Sequence, residues 1–115
     1  MEVWKLARQL KIEIKDLTKT FPGEEKYRLI DQLIRSSRSV GANIAEGFGR
    51  FHFKENAKFC LNARGSLLET LNHLIDANDE KYITAEILEA FKEKIFHCHK
   101  VLNGYIAYLN KRANE

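Results

Sequence analysis

Three stretches of this 115-residue chain hold side chains that do chemistry in other settings. His97, Cys98 and His99 are metal-ligand types in a row. On a helix, however, residues two apart point about 200° away from each other, so the two imidazoles cannot grip one ion. Glu46 and Glu69 are a carboxylate pair for acid–base work, but no nucleophile or ligand set accompanies them in sequence. An i,i+3 Glu-x-x-His motif of the di-iron kind is absent. The run "EGFGRF" (Glu46 to Phe51) has closely spaced glycines but neither a third glycine nor a Gly-Lys-Ser/Thr ending, so it is a helix break and not a phosphate loop. Catalytic residues, metal sites and cofactors are therefore not expected.

Two polar stripes remain. Gln32, Ser36, Ser39, Asn43, Glu46 and Arg50 are spaced 4, 3, 4, 3, 4 and share one helix face. Asn62, Ser66, Glu69 and His73 repeat the pattern further on. Gly41, Gly47, Gly49 and Gly65 stand around them, and each glycine inside a helix costs about 1 kcal/mol relative to alanine. Glycines give a merely solvated face nothing. We expect closely packed helices joined by a polar network of Asn43, Glu46, Arg50, Asn62, Ser66 and Glu69, within one chain or between protomers. Arg50 has two acids in prospect, Glu46 one turn back and Glu69 across the gap.

A third stripe is basic. Trp4, Arg8, Lys11 and Lys15 follow spacings of 4, 3, 4, with Lys5 and Lys19 nearby and Arg28, Arg35 and Arg38 added from the next segment. Cations beside an indole suit phosphate contacts with one stacking platform. Glu13 and Asp16 dilute the field, and the alternative for such a row is a solubilising outer face.

Helices must position all of these. The chain has one proline, and its apolar residues recur at helical spacing. Val3, Leu6, Leu10, Ile14, Leu17 and Phe21 mark a first helix, near 2–20, closed by "FPG". Tyr27, Ile30, Ile34, Ser37, Val40, Ile44 and Phe48 mark a second, near 24–50, with Glu24 and Glu25 suited to its first turn. Ala57, Cys60, Leu67, Leu71 and Leu74 mark a third, near 53–78, on a face widened by Leu61, Leu68 and Ile75. Thr84 is the expected N-cap of a fourth, near 84–112, with Ile87, Phe91, Ile95, Cys98, Leu102, Tyr105 and Leu109 inward. The expected fold is all-α, a single antiparallel four-helix bundle over residues 1–115.

Composition bounds the rest. A net charge of +3 does not by itself argue for nucleic acid. Residues 1–23 carry five basic and three acidic side chains, and residues 51–80 carry three basic and five acidic, a basic start and an acidic middle. Two cysteines make no disulfide framework, no secretory pattern opens the chain, and no apolar run is long enough to span a bilayer. The expected setting is a reduced cytoplasm, with no membrane partner.

"QLIRSSRSVGANIAEGFGR" (Gln32 to Arg50) resembles the signature of the small helical proteins encoded in intervening sequences of bacterial 23S rRNA genes. "FCLNARGSLLETLNHL" resembles that family's second motif, and "VWKLARQLKIEIKDLTKTFPGEE" its opening helix. Arg64 stands between Ala63 and Gly65, where the family more often has an apolar residue. The resemblance implies a left-handed bundle that assembles into homopentamers and has no known enzyme activity. Relatives among the accessory variability proteins of diversity-generating retroelements imply partners of two kinds, nucleic acid and a reverse transcriptase.

The functional expectation is a non-enzymatic oligomer that binds RNA or DNA through Trp4, Lys5, Arg8, Lys11, Lys15, Arg35 and Arg38. Its alternative is a protein-interaction scaffold without nucleic-acid affinity, on which Trp4 or Phe51 anchors a partner.

Overall fold

Amphipathic periodicity becomes four helices and no strands in the computed structural model, which describes all 115 residues. Helix α1 spans Glu2–Thr18, α2 Leu29–Phe48, α3 Phe53–Asp79 and α4 Ala85–Ala113. Each helix packs against its neighbours in sequence, and α1 closes the ring against α4. The diagonal pairs α1/α3 and α2/α4 make no close backbone approach and share only the central core. The most extensive contact is between α2 and α3, and the thinnest seam is between α1 and α4. Paired residues 36/70, 39/66 and 47/56 show that α2 and α3 run in opposite directions. No helix is long and apolar enough to cross a membrane.

A core of 23 buried apolar residues fills the centre. Val3, Ala7, Leu10 and Ile14 face it from α1, as the spacing requires. Small residues do the same from α3, where Ala57, Cys60, Ala63 and Ala77 are buried beside Leu67 and Leu74. Thr84 caps α4, its Oγ1 accepting from the Ile87 N–H at 3.2 Å.

Three expectations need correction. The second helix begins at Leu29 and not near residue 24. Gly23–Glu25 form a separate single 3-10 turn, and Arg28 leaves helical dihedrals at φ −124°, ψ −104°. This offset leaves Tyr27 84% exposed, and Leu29 and Leu33 take the buried places while Ile30 and Ile34 are half-buried. Phe48, at the other end of the same expected face, is also exposed.

In α4 the buried positions are Leu88, Phe91, Ile95, Cys98, Leu102, Ile106 and Leu109. Ile87 and Tyr105 lie one residue to the side of that face.

In α3, Leu61, Leu68 and Ile75 do not widen the core. They are exposed, at intervals of seven, so they form a second apolar stripe on the outside. That stripe lies on the α4 side, because Arg64, three residues from Leu61, reaches Asn103 of α4. Phe96, one heptad before Asn103, is exposed on the same groove.

Candidate nucleic-acid interface

The serines interrupting α2 serve its contact with α3. The Ser36 and Thr70 hydroxyls lie 2.8 Å apart, and those of Ser39 and Ser66 lie 2.9 Å apart. Thr70 also donates to the Ser66 carbonyl at 2.8 Å, so its proton is committed there and Ser36 supplies the one between the two hydroxyls. Asn43 extends the ladder, its Nδ2 donating to Ser39 Oγ at 3.0 Å and to the Ser39 carbonyl at 2.9 Å. Hydroxyls are short enough to let two helices approach, and they satisfy one another once water is excluded. Ser36 and Thr70 are buried.

Of the six network residues anticipated, Asn43 and Ser66 belong to this ladder. Glu46 and Arg50 do not. They pair with each other at 2.7 Å on an exposed surface, and the Arg50 guanidinium lies 4.9 Å from the Phe59 ring centre. Arg50 thus takes the acid one turn back. Glu69 instead faces His73, whose Nε2 is 3.9 Å away, and Asn62 is exposed with no side-chain hydrogen bond. His73 Nδ1 is buried without a partner. Residues that spacing alone did not single out complete the α3 contacts. Asn56 Nδ2 donates to the Tyr105 hydroxyl at 3.0 Å, and the Arg64–Asn103 bond continues to His99. A long polar residue three or four positions from an apolar stripe was the available signal.

Among the glycines, Gly47 alone is held by close approach. A β-carbon there would meet Asn56 Oδ1, the Asn56 carbonyl and Phe59 Cβ within 2.7–2.9 Å. Gly41 has ordinary room under Trp4, and Gly65 has nothing within 4 Å. Gly49 caps α2, its N–H donating to the Ala45 carbonyl.

The basic stripe lies on the α2 side of α1, where Trp4 packs over Gly41. Trp4 is therefore 38% exposed, a half-covered platform. Lys5, Arg8 and Lys15 are exposed and Lys11 is half-buried. None of these four cations, nor Arg38 of α2, has a carboxylate within 4.0 Å. Arg35 differs, pairing with Asp31 at 3.6 Å. Glu13, a diluting acid in sequence, is turned away and bonded to Lys94 of α4.

No group of three His, Cys, Asp or Glu side chains is placed to hold a metal ion. Cys60 and Cys98 are free and buried, and desolvation pushes both thiols up to about 11. At that value neither is a nucleophile near neutral pH.

Residues 1–104 match the family model described as 23S rRNA-intervening sequence protein. The chain belongs to the 23S rRNA-intervening sequence protein family. No curated protein matches it. A crystal structure of a protein of unknown function from the S23 ribosomal protein family of Bacteroides thetaiotaomicron VPI-5482 shares the fold with a TM-score of 0.84. The two are 25% identical, over 91% of this chain and 95% of that one. In this 23S rRNA-intervening sequence protein the signature stretch Gln32 to Arg50 thus has a structural account: the α3 contact uses its serines and Gly47, and its charged end stays at the surface.

Proposed function

We propose that this chain is a non-enzymatic, left-handed four-helix bundle that forms a homo-oligomer, a pentamer by family resemblance, and binds RNA or DNA in the cytoplasm. The nucleic-acid face is α1 with the adjoining side of α2. The observation that carries the reading is the set of five cations, Lys5, Arg8, Lys11, Lys15 and Arg38, free of acidic partners. A polyanion exchanges its counterions for such groups at no cost in broken ion pairs. On α4, by contrast, Lys92, Lys94 and Arg112 all meet carboxylates. Ring assembly repeats the stripe about an axis and strengthens its field.

The outer stripe of Leu61, Leu68, Ile75 and Phe96 supports self-association. It lies on the α3/α4 side, and α3 is diagonal to α1, so copies meeting there leave the basic face open. The same stripe favours the second reading, a scaffold that presents this groove to another polypeptide, a reverse transcriptase among the candidates.

Light scattering of the protein alone and with a generic RNA, at low and moderate salt, tests the choice. An oligomer that gains mass with RNA only at low salt, and loses the gain in Arg8→Glu/Lys15→Glu, supports the nucleic-acid face. An oligomer indifferent to RNA selects the scaffold, and a monomer overturns the assembly.

A further inference from the structure

The connection between α2 and α3 is rich in exposed aromatic side chains. Phe51 is 99% exposed, Phe48 66%, and Phe53 38%. Phe51 therefore contributes no apolar burial to the fold of the monomer. The segment Phe48 to Lys54 interleaves three phenylalanines, Phe48, Phe51 and Phe53, with Arg50, His52 and Lys54. The end of α4 adds to it. The Arg112 guanidinium lies 4.8 Å from the Phe53 ring centre and 5.9 Å from that of Tyr108, bridging the two helices. Open hollows flank the segment, one lined by Lys54, Lys58 and Arg112 with one acid, Glu55, the other by Phe48, Tyr105 and Tyr108. Lys54, Lys58 and Lys111 meet no carboxylate within 4.0 Å.

From this geometry we infer that the α2–α3 end is a second nucleic-acid site, one that stacks unpaired bases and therefore selects single strands over duplexes. Exposed rings beside the unpaired Lys54, Lys58 and Lys111 fit a strand whose bases are free to leave their own stack and whose phosphates pass the lysines. In a duplex the base faces are already stacked, and only the backbone and the groove edges are offered. The α1 face, a row of cations with a half-covered indole, contacts backbone of either kind. The inference deepens the nucleic-acid reading and rests on it for the class of ligand, yet it uses none of the α1 residues.

Fluorescence anisotropy with a labelled twelve-nucleotide RNA, single-stranded and in duplex form, provides the test. Wild type is expected to prefer the single strand. Phe51→Ala, which removes no internal contact, is expected to weaken single-strand binding about tenfold and to leave duplex binding unchanged. Phe51→Trp should restore affinity and show indole quenching on binding. Equal loss for both forms, no loss, or a changed oligomer mass in Phe51→Ala overturns the stacking site. If Arg8→Glu/Lys15→Glu binds single strands as wild type does while Phe51→Ala fails, the α1 face is wrong and the end site stands. Failure of wild type to bind either form overturns both.

Discussion

A β-carbon at Gly47 would lie 2.7 Å from Asn56 Oδ1 and 2.9 Å from the Asn56 backbone carbonyl. The second contact is with main chain, so a rotamer change cannot relieve it. Gly47→Ala gains about 1 kcal/mol of helix propensity. Against this, overpacking forces backbone shifts that cost about 1–3 kcal/mol. We expect a lower melting temperature for Gly47→Ala and a higher one for Gly104→Ala, where nothing lies within 4 Å. Thermal denaturation of the pair side by side checks the sign of each.

The Ser36–Thr70 contact predicts a coupling. Thr70→Val keeps the shape, removes the bond to the Ser66 carbonyl, leaves the buried Ser36 hydroxyl with only the Leu33 carbonyl at 3.4 Å, and should cost about 1–2 kcal/mol. Adding Ser36→Ala removes that weakly bonded hydroxyl. The double variant is expected to be more stable than the two single losses summed, and urea titration of all four proteins measures the difference.

Glu46→Ala should do little. The pair it breaks has side-chain exposures of 54% for Glu46 and 42% for Arg50, and such surface pairs contribute about 0–1 kcal/mol. A loss of several kcal/mol would mean that a neighbouring protomer buries the pair.

The buried thiols set an alkaline limit. Burial raises Cys60 and Cys98 from 9.0 to about 11, so between those values the unfolded chain has released protons that the folded chain retains. The unfolded state then binds fewer protons than the folded state, and stability falls as pH rises from about 9 towards 11. Below 9 this contribution is fully present. Guanidinium melts at several pH values should show the decline, and Cys60→Ala/Cys98→Ala should flatten it.

Leu68→Glu places a charge in the outer stripe of α3 without touching the core. Its circular dichroism is expected to match wild type while its mass by light scattering drops. An unchanged mass would move the copy contact to another face.

How much of this was legible in the residues follows from what each signal measures. Periodicity of 3.6 located α1, α3 and α4 closely, and for α4 the Thr84 cap agrees with the apolar row. It misplaced the start of α2, since Glu24 and Glu25 suit any helical first turn and nothing marks Arg28 as the break. Leu61, Leu68 and Ile75 lie within a helical turn of true core positions, and a hydrophobic pattern carries no information on whether a copy or the chain itself covers them. The polar stripe of α2 was readable as a close contact. Charge strength pointed to Glu46 and Arg50, whereas packing distance favoured the shorter hydroxyls of Ser36, Ser39, Ser66 and Thr70. Of the basic row, Arg35 was lost to Asp31, a neighbour one turn away that spacing already contained.

The thin seam between α1 and α4 has a consequence for motion. Helix α1 shares its most extensive border with α2 alone, and it is tethered to the rest by the ten residues 19–28. It is the segment with least to lose by detaching, so its amides should be the first to exchange with deuterium. The proposed ligand face is on this same helix. A polyanion bound there would clamp α1 down, so slowed exchange along Val3 to Ile14 would report occupancy even where no mass change is seen.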